Sequence, residues 1–272
     1  MTSKTNSINP EYVRESYNSL ITKLDEDDYK NYRWFKNDVA FQQYLQTEVT
    51  IKSISELEKY RDILEIGCGP GTWTDILSKT SQNLVAVDIS KEMINQATDN
   101  VKSKNVSFVT GDFLDNSILS GKQFDAIYSI RAFEYFRSKE EAIKKAKSLL
   151  RPGGTVFIIT KNPKYSAKVI IDILFRAKII NSDSRWLPAN IRNLVKTYSS
   201  KLHSDWIEVG QLRKIMEQEG FRSVQSYPAV IGIGFSSRIW RLFTSIHSKI
   251  YRRPLSPVLT PLMESYLITG VK

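Results

Sequence analysis

The sequence predicts an α/β protein: a doubly wound, mostly parallel sheet of seven strands with helices on both faces. Three observations predict it. Short apolar runs alternate with helix-like segments between residues 62 and 161, the pattern of a parallel sheet. The first run, Asp62-Ile-Leu-Glu-Ile66, breaks into a glycine turn, Gly67-Cys-Gly-Pro-Gly71. The second, Leu84-Val-Ala-Val-Asp88, ends in a carboxylate 17 residues after Gly71.

The elements follow in order. Residues 1–9 are polar, and residues 1–55 form an N-terminal helical segment with apolar positions at helix spacing, among them Tyr17, Leu20, Ile21 and Leu24. The acidic run Asp25–Asp28 marks a turn within it. The main domain covers 56–272. Strands are expected near 62–66, 84–88, 106–110, 124–130 and 154–161, with helices at 72–79, 90–102 and 138–149. Ser90 is an N-cap, and Ser138 followed by Glu141 reads as a capping box. From about 163 to 204 the alternation stops, and a helical cap is expected after the fifth strand. A helix over 207–220 and strands over 221–227 and 265–270 complete the sheet. Between them, about 235–253 reads as a basic amphipathic helix with Ile239, Leu242, Phe243, Ile246 and Ile250 on one face and Arg238, Arg241, Lys249, Arg252 and Arg253 beside it.

The glycine turn and Asp88 carry the functional reading. Glycines at 67, 69 and 71 leave the backbone bare, so a ligand can approach it closely. An acid at the end of the second strand of such a sheet reaches the hydroxyls of a ribose. The spacing departs from G-x-G-x-x-G, and Glu65 precedes the turn. A carboxylate there repels a phosphate and attracts an ammonium, which favours S-adenosylmethionine over a dinucleotide. The Walker lysine of a P-loop is also missing.

These residues resemble the class I S-adenosylmethionine-dependent methyltransferases of the small-molecule type, closely from Asp62 to Lys161 and more loosely after Trp206. The resemblance implies a Rossmann-like sheet whose last strand is antiparallel. It implies that Leu64–Thr72, with Glu65, Gly67, Cys68, Gly69 and Gly71, wraps the methionine part of S-adenosylmethionine. Asp88 matches the ribose-binding acid and Ile89 the residue beside the adenine. Asp112 and Phe113 match the adenine-edge segment, and Phe124–Ile130 the fourth strand, with Ile130 at its carboxyl end. The N-terminal segment is implied to fold over the cofactor and help form the substrate cavity.

Methyl transfer requires a positioned nucleophile and, for a hydroxyl acceptor, a base. The segment after the fourth strand offers Glu134 and Tyr135, and the end of the cap offers His203 beside Asp205. Each also has a structural reading, in hydrogen bonding or helix packing. No clustered His/Cys spacing suggests a metal site. The Asn/Asp-Pro-Pro-Tyr sequence of amino-methylating nucleic-acid enzymes is replaced by Ser129-Ile-Arg-Ala, which counts against adenine or glutamine-amide methylation.

A hydrophobic fraction of 41% and a charged fraction of 25% fit a soluble globular chain, and no apolar run is long enough to span a bilayer. The single cysteine, Cys68, and the polar N-terminus lead to a cytoplasmic expectation, with peripheral contact to the inner face of the membrane left open. Net charge is +10, divided as −1 over residues 1–160 and +11 over 161–272. The basic part points to an anionic partner: a small phosphorylated or lipid-linked substrate, an anionic membrane surface or, less favoured, a nucleic acid. No obligate protein partner is expected. The leading expectation is methyl transfer from S-adenosylmethionine to a small molecule, with a lipid-linked compound, a phosphorylated compound or a glycan as the candidates and oxygen the preferred acceptor. Its rivals are an RNA methyltransferase that uses the basic region and a non-catalytic cofactor-binding subunit.

Overall fold

The computed structural model describes residues 8–24, 29–36, 38–55, 59–165, 205–231 and 260–272, with isolated positions between 170 and 180. The Asp25–Asp28 turn, most of the 163–204 cap, His203 and the basic stretch 235–253 lie outside the described residues.

The sheet has seven strands in the order β3-β2-β1-β4-β5-β7-β6. They are β1 (Tyr60–Ile66), β2 (Ser81–Asp88), β3 (Val106–Thr110), β4 (Phe124–Ile130), β5 (Leu150–Lys161), β6 (Arg222–Ile231) and β7 (Met263–Val271). The first five pair in parallel, and β7 runs antiparallel to both β5 and β6. Strand order reverses between β1 and β4, which leaves a crevice at the carboxyl ends of β1, β2 and β4.

Alternation along the strands builds a core on each face. Leu64, Ile127 and Ile158 point into one layer, against Ile143 and Met216 of the covering helices. Ile63, Tyr128 and Phe157 point into the other, with Trp34, Ile51 and Trp73. Helix α4 (Lys91–Asn100) starts where the Ser90 hydroxyl accepts the Met93 N–H at 3.1 Å, and buries Met93, Ile94 and Ala97. Helix α5 (Lys139–Leu149) is capped likewise by Ser138 on the Glu141 N–H, and its Ala142, Ile143, Ala146 and Leu149 face the sheet. Helices α3 (Thr74–Ser78) and α6 (Val209–Gln218) complete the covering layers.

The N-terminal segment divides into parts with different tasks. Helix α1 (Pro10–Thr22) lies over the crevice, where Asn18 accepts the Ser90 hydroxyl at 2.7 Å. A short π-helix (Asn31–Phe35) follows it. Helix α2 (Asp38–Ser55) packs against the π-helix and β6, and its Ala40 and Gln43 reach the crevice. Gln46 accepts the Ile231 N–H at 2.7 Å and donates to its carbonyl at 3.3 Å, and the Thr50 hydroxyl reaches the Ala229 carbonyl. The side-chain amide thereby satisfies backbone groups of the last strand in the sheet.

Candidate active site

A cavity of about 960 Å³ opens at the carboxyl ends of β1, β2, β4 and β5, beneath α1 and the π-helix. That is near the top of the range for small-molecule sites, about 300–1,000 Å³.

The floor is the glycine turn. Gly67 has φ +73° and Gly69 φ +53°, in the left-handed region where a side chain is strained. A Cβ on Gly67 would stand 2.2 Å from the Ala132 Cβ, so glycine is required for the turn to meet the segment after β4. A Cβ on Gly69 would meet nothing within 4 Å, so its bare backbone faces open space on the cavity wall. Gly71 stands behind the wall, where a Cβ would meet Val101 Cγ2 at 2.6 Å; its smallness lets α4 approach. Cys68 is buried on the wall, and burial raises its thiol well above the usual range, so it is a small, inert filler.

Asp88 locks this turn. Its Oδ2 accepts the Gly69 N–H at 2.8 Å and its Oδ1 the Ser90 N–H at 2.9 Å. A carboxylate has about four acceptor positions, so two backbone bonds leave room for hydroxyl donors from the cavity. Burial raises the Asp88 pKa, against the backbone donors that lower it. Ile89, Asp112 and Phe113 line the same end, and the Asp112 carboxylate fixes its own loop by accepting the Leu114 N–H. Ile130 lines the wall at the end of β4.

Glu65 lies elsewhere than its sequence position suggests. It is fully buried behind the turn and accepts the Thr74 hydroxyl at 2.6 Å through Oε2, while Oε1 has no protein partner. Burial, reinforced by Asp88, pushes its pKa up to about 8 against the Thr74 bond that lowers it. A carboxyl raised this way holds its proton in the fold but releases it when unfolded. Its contribution to stability is therefore full below the ordinary carboxylate range and is lost as pH rises through about 8. Between pH 5 and 8 the cofactor-free protein should lose melting temperature faster than its Glu65→Gln variant. Parallel melting curves for the two proteins would contradict the assignment.

The segment after β4 brings the two catalytic candidates to the wall. Arg131 has φ +61°, a strained value for a side-chain-bearing residue, and its N–H donates to the Ile159 carbonyl at 2.8 Å. Its buried guanidinium pairs with Glu134 at 3.5 Å and donates to the Ser265 hydroxyl at 3.2 Å. Glu134 also accepts the Thr160 hydroxyl at 3.1 Å. Both Glu134 oxygens are therefore engaged in holding this turn. Tyr135 packs edge-on against Tyr17 of α1 with ring centres 5.7 Å apart, and Tyr17 against Tyr29 at 6.1 Å. Burial, with Glu134 nearby, raises the Tyr135 pKa far above neutrality, so this hydroxyl remains protonated. The third candidate, His203, lies outside the described residues; its neighbour Asp205 is exposed, with its N–H on the Glu134 carbonyl at 2.8 Å.

Lys161 and Arg33 are among the cavity residues missed in the sequence. Lys161, at the end of β5, occupies the same kind of position as Asp88 and Ile130, and the strand-end rule could have found it. Arg33, stacked on Trp34 at 4.2 Å, arrives from the π-helix, and no local motif marks it.

Comparison with known proteins bears on what binds here. A methyltransferase-domain family matches residues 63–154. The chain is 39% identical over 100 residues to a malonyl-[acyl-carrier protein] O-methyltransferase of Priestia megaterium, covering 36% of this chain and 36% of that protein. It is 24% identical over 172 residues to a ubiquinone biosynthesis O-methyltransferase of Coxiella burnetii, covering 62% of this chain and 68% of that one. The alignment thus spans only about a third of the Priestia relative's length. Among solved structures, the magnesium protoporphyrin IX methyltransferase of Synechocystis, with bound SAH, superposes with a TM-score of 0.60 over 97% of this chain and 100% of that one, at 15% identity. That identity speaks to the fold alone. The family match falls on the segment that holds the glycine turn and Asp88, and the fold is shared along nearly the whole chain: residues 63–154 match a methyltransferase domain, and the sheet around them has the fold of the Synechocystis enzyme.

Proposed function

We propose that this protein transfers a methyl group from S-adenosylmethionine to a small-molecule acceptor, with oxygen as the receiving atom. The observation that carries the proposal is that one cavity joins both half-sites. The glycine turn, Asp88 and Asp112–Phe113 lie at one end, and aromatic side chains of α1 and the π-helix close over it. The oxygen preference rests on the relatives, both named O-methyltransferases. S-adenosylmethionine, when bound, supplies the methyl group and a sulfonium leaving group.

The residues of the chain then position and exclude. Asp88 receives the ribose hydroxyls while anchoring the Gly69 N–H. The open space at Gly69 admits the donor against bare backbone. Ile89, Phe113 and Met93 offer apolar surface for the adenine. Tyr17, Tyr29 and Tyr135 shield the reacting region from water, which strengthens electrostatic contacts inside it. Glu134 and Arg131 hold the turn between the two half-sites, so Glu134 serves as a positioning residue. An assay with methyl-labelled S-adenosylmethionine and a panel of phenols, carboxylic acids and amines tests the proposal. Label in an ester or ether product supports it, and label confined to amines removes the oxygen assignment.

A further inference from the structure

We infer that the acceptor is a planar aromatic ring carrying a hydroxyl, that Tyr17, Tyr135 and Trp34 receive the ring, and that the Gln43 carbonyl receives the hydroxyl. This rests on the methyltransferase reading and specifies its acceptor. The placement follows from the sheet. Asp88 ends β2. Gln43 is held on the far side of the crevice by Glu264, whose chain neighbour Ser265 pairs with Lys161 at the end of β5. From β2 across β1 and β4 to β5 is three strand spacings of about 4.8 Å, or roughly 14 Å. A donor bound to Asp88 and the β1 turn occupies the first half of that distance and leaves the β4–β5 half for the acceptor.

Gln43 belongs to a row of buried polar side chains that recurs at helix spacing along α2, with Gln46 and Thr50. Gln46 and Thr50 bond the backbone of β6. Gln43 turns to a side chain instead: its Nε2 lies 2.8 Å from both oxygens of the buried Glu264 carboxylate. An ionised carboxylate only accepts, so it fixes which way the amide faces, with nitrogen toward Glu264 and the carbonyl oxygen away from it. Gln43 lines the cavity, and Glu264 stands behind it, off the wall. Gln43 is 8% exposed, and its carbonyl oxygen is the polar atom left for the cavity. An oxygen held there takes a hydrogen-bond donor and repels a carbonyl or a carboxylate.

The walls beside it are rings. Tyr17 from α1, Tyr135 from the turn after β4 and Trp34 from the π-helix all line the cavity, and the two tyrosines keep part of their surface open. Each ring is braced from behind. Tyr17 and Tyr135 meet edge-on at 5.7 Å, and Trp34 meets Trp73 at 5.5 Å. The space between them is therefore preformed, as ligand sites commonly are. Aromatic walls favour a flat π system over a saturated ring of the same size, through offset and edge-to-face contacts.

The test uses the full chain saturated with S-adenosylhomocysteine, with calorimetry confirming that each protein is loaded. NMR shift titrations compare phenol with fluorobenzene, which lacks the hydroxyl, and with cyclohexanol, which lacks the flat ring. Phenol should bind about fivefold or more tightly than fluorobenzene, because a buried acceptor left unfilled is costly. It should bind about threefold or more tightly than cyclohexanol through its ring contacts, and it should shift the Trp34 indole N–H resonance. Gln43→Met should remove the preference over fluorobenzene and keep the preference over cyclohexanol. If that variant fails to fold because it strands the Glu264 carboxylate, Gln43→Met combined with Glu264→Leu removes both partners and carries the same expectation. Three results overturn the inference while leaving donor binding intact: equal affinity for phenol and fluorobenzene in the wild type, a hydroxyl preference that survives loss of Gln43, or cyclohexanol bound as tightly as phenol. Failure of S-adenosylhomocysteine to bind the wild type strikes the methyltransferase reading instead.

Discussion

Gly67→Ala should destabilise the protein by roughly 2–5 kcal/mol and abolish donor binding. Two costs add. Holding alanine at φ +73° costs about 1–2 kcal/mol of backbone strain. The new methyl would also sit 2.2 Å from the Ala132 Cβ, and overpacking of this kind costs about 1–3 kcal/mol. The two costs can be separated. Ala132→Gly in the Gly67→Ala background removes the clash and leaves the strain, so the double variant should recover part of the loss and no more. Denaturant unfolding gives each value. A Gly67→Ala protein as stable as wild type would show that the turn does not press against the β4 segment as described.

Arg131→Met should cost about 3–5 kcal/mol, the effect of stranding one member of a buried ion pair. The Arg131 and Glu134 side chains are only 7% and 2% exposed, so water cannot replace the lost guanidinium. The carboxylate would keep the Thr160 hydroxyl as its donor. Adding Glu134→Gln removes the stranded charge and should restore at least half the loss. The single variant has a second expected effect. The left-handed backbone at Arg131 is held partly by its side chain on Ser265, so the turn that carries Glu134 and Tyr135 should shift, and turnover should fall further than stability alone explains. An unfolding midpoint within experimental error of wild type would contradict the pairing.

The sheet was legible because its signals are local. The carboxyl ends of β1 to β5, the Ser90 and Ser138 caps and the glycine turn each depend on a few neighbouring residues and stand where the sequence put them, whereas β5 starts four residues early, at Leu150, and β6 runs four residues on, to Ile231. The site was legible only as far as strand ends locate it. Asp88, Asp112 and Ile130 reach the cavity as the strand-end rule requires. Glu65 obeys the same rule in sequence, yet the fold turns it away from the cavity toward Thr74, because its carboxylate finds a buried hydroxyl behind the loop. Gly71 was read as ligand clearance and proves to be clearance for α4. Arg33 was invisible because its approach to Lys161 depends on how the π-helix docks over β5, a long-range packing event with no local code.

The central claim is that the glycine turn and Asp88 grip an adenosyl donor that lacks phosphate. Calorimetric titration of the full chain with S-adenosylhomocysteine, alongside NADH, tests it most directly. The wild type should bind S-adenosylhomocysteine and ignore NADH, and Asp88→Ala should weaken binding by about 1.5–3 kcal/mol through lost charge-assisted hydrogen bonds. NADH bound in place of S-adenosylhomocysteine, or an Asp88→Ala variant with undiminished affinity, would contradict it.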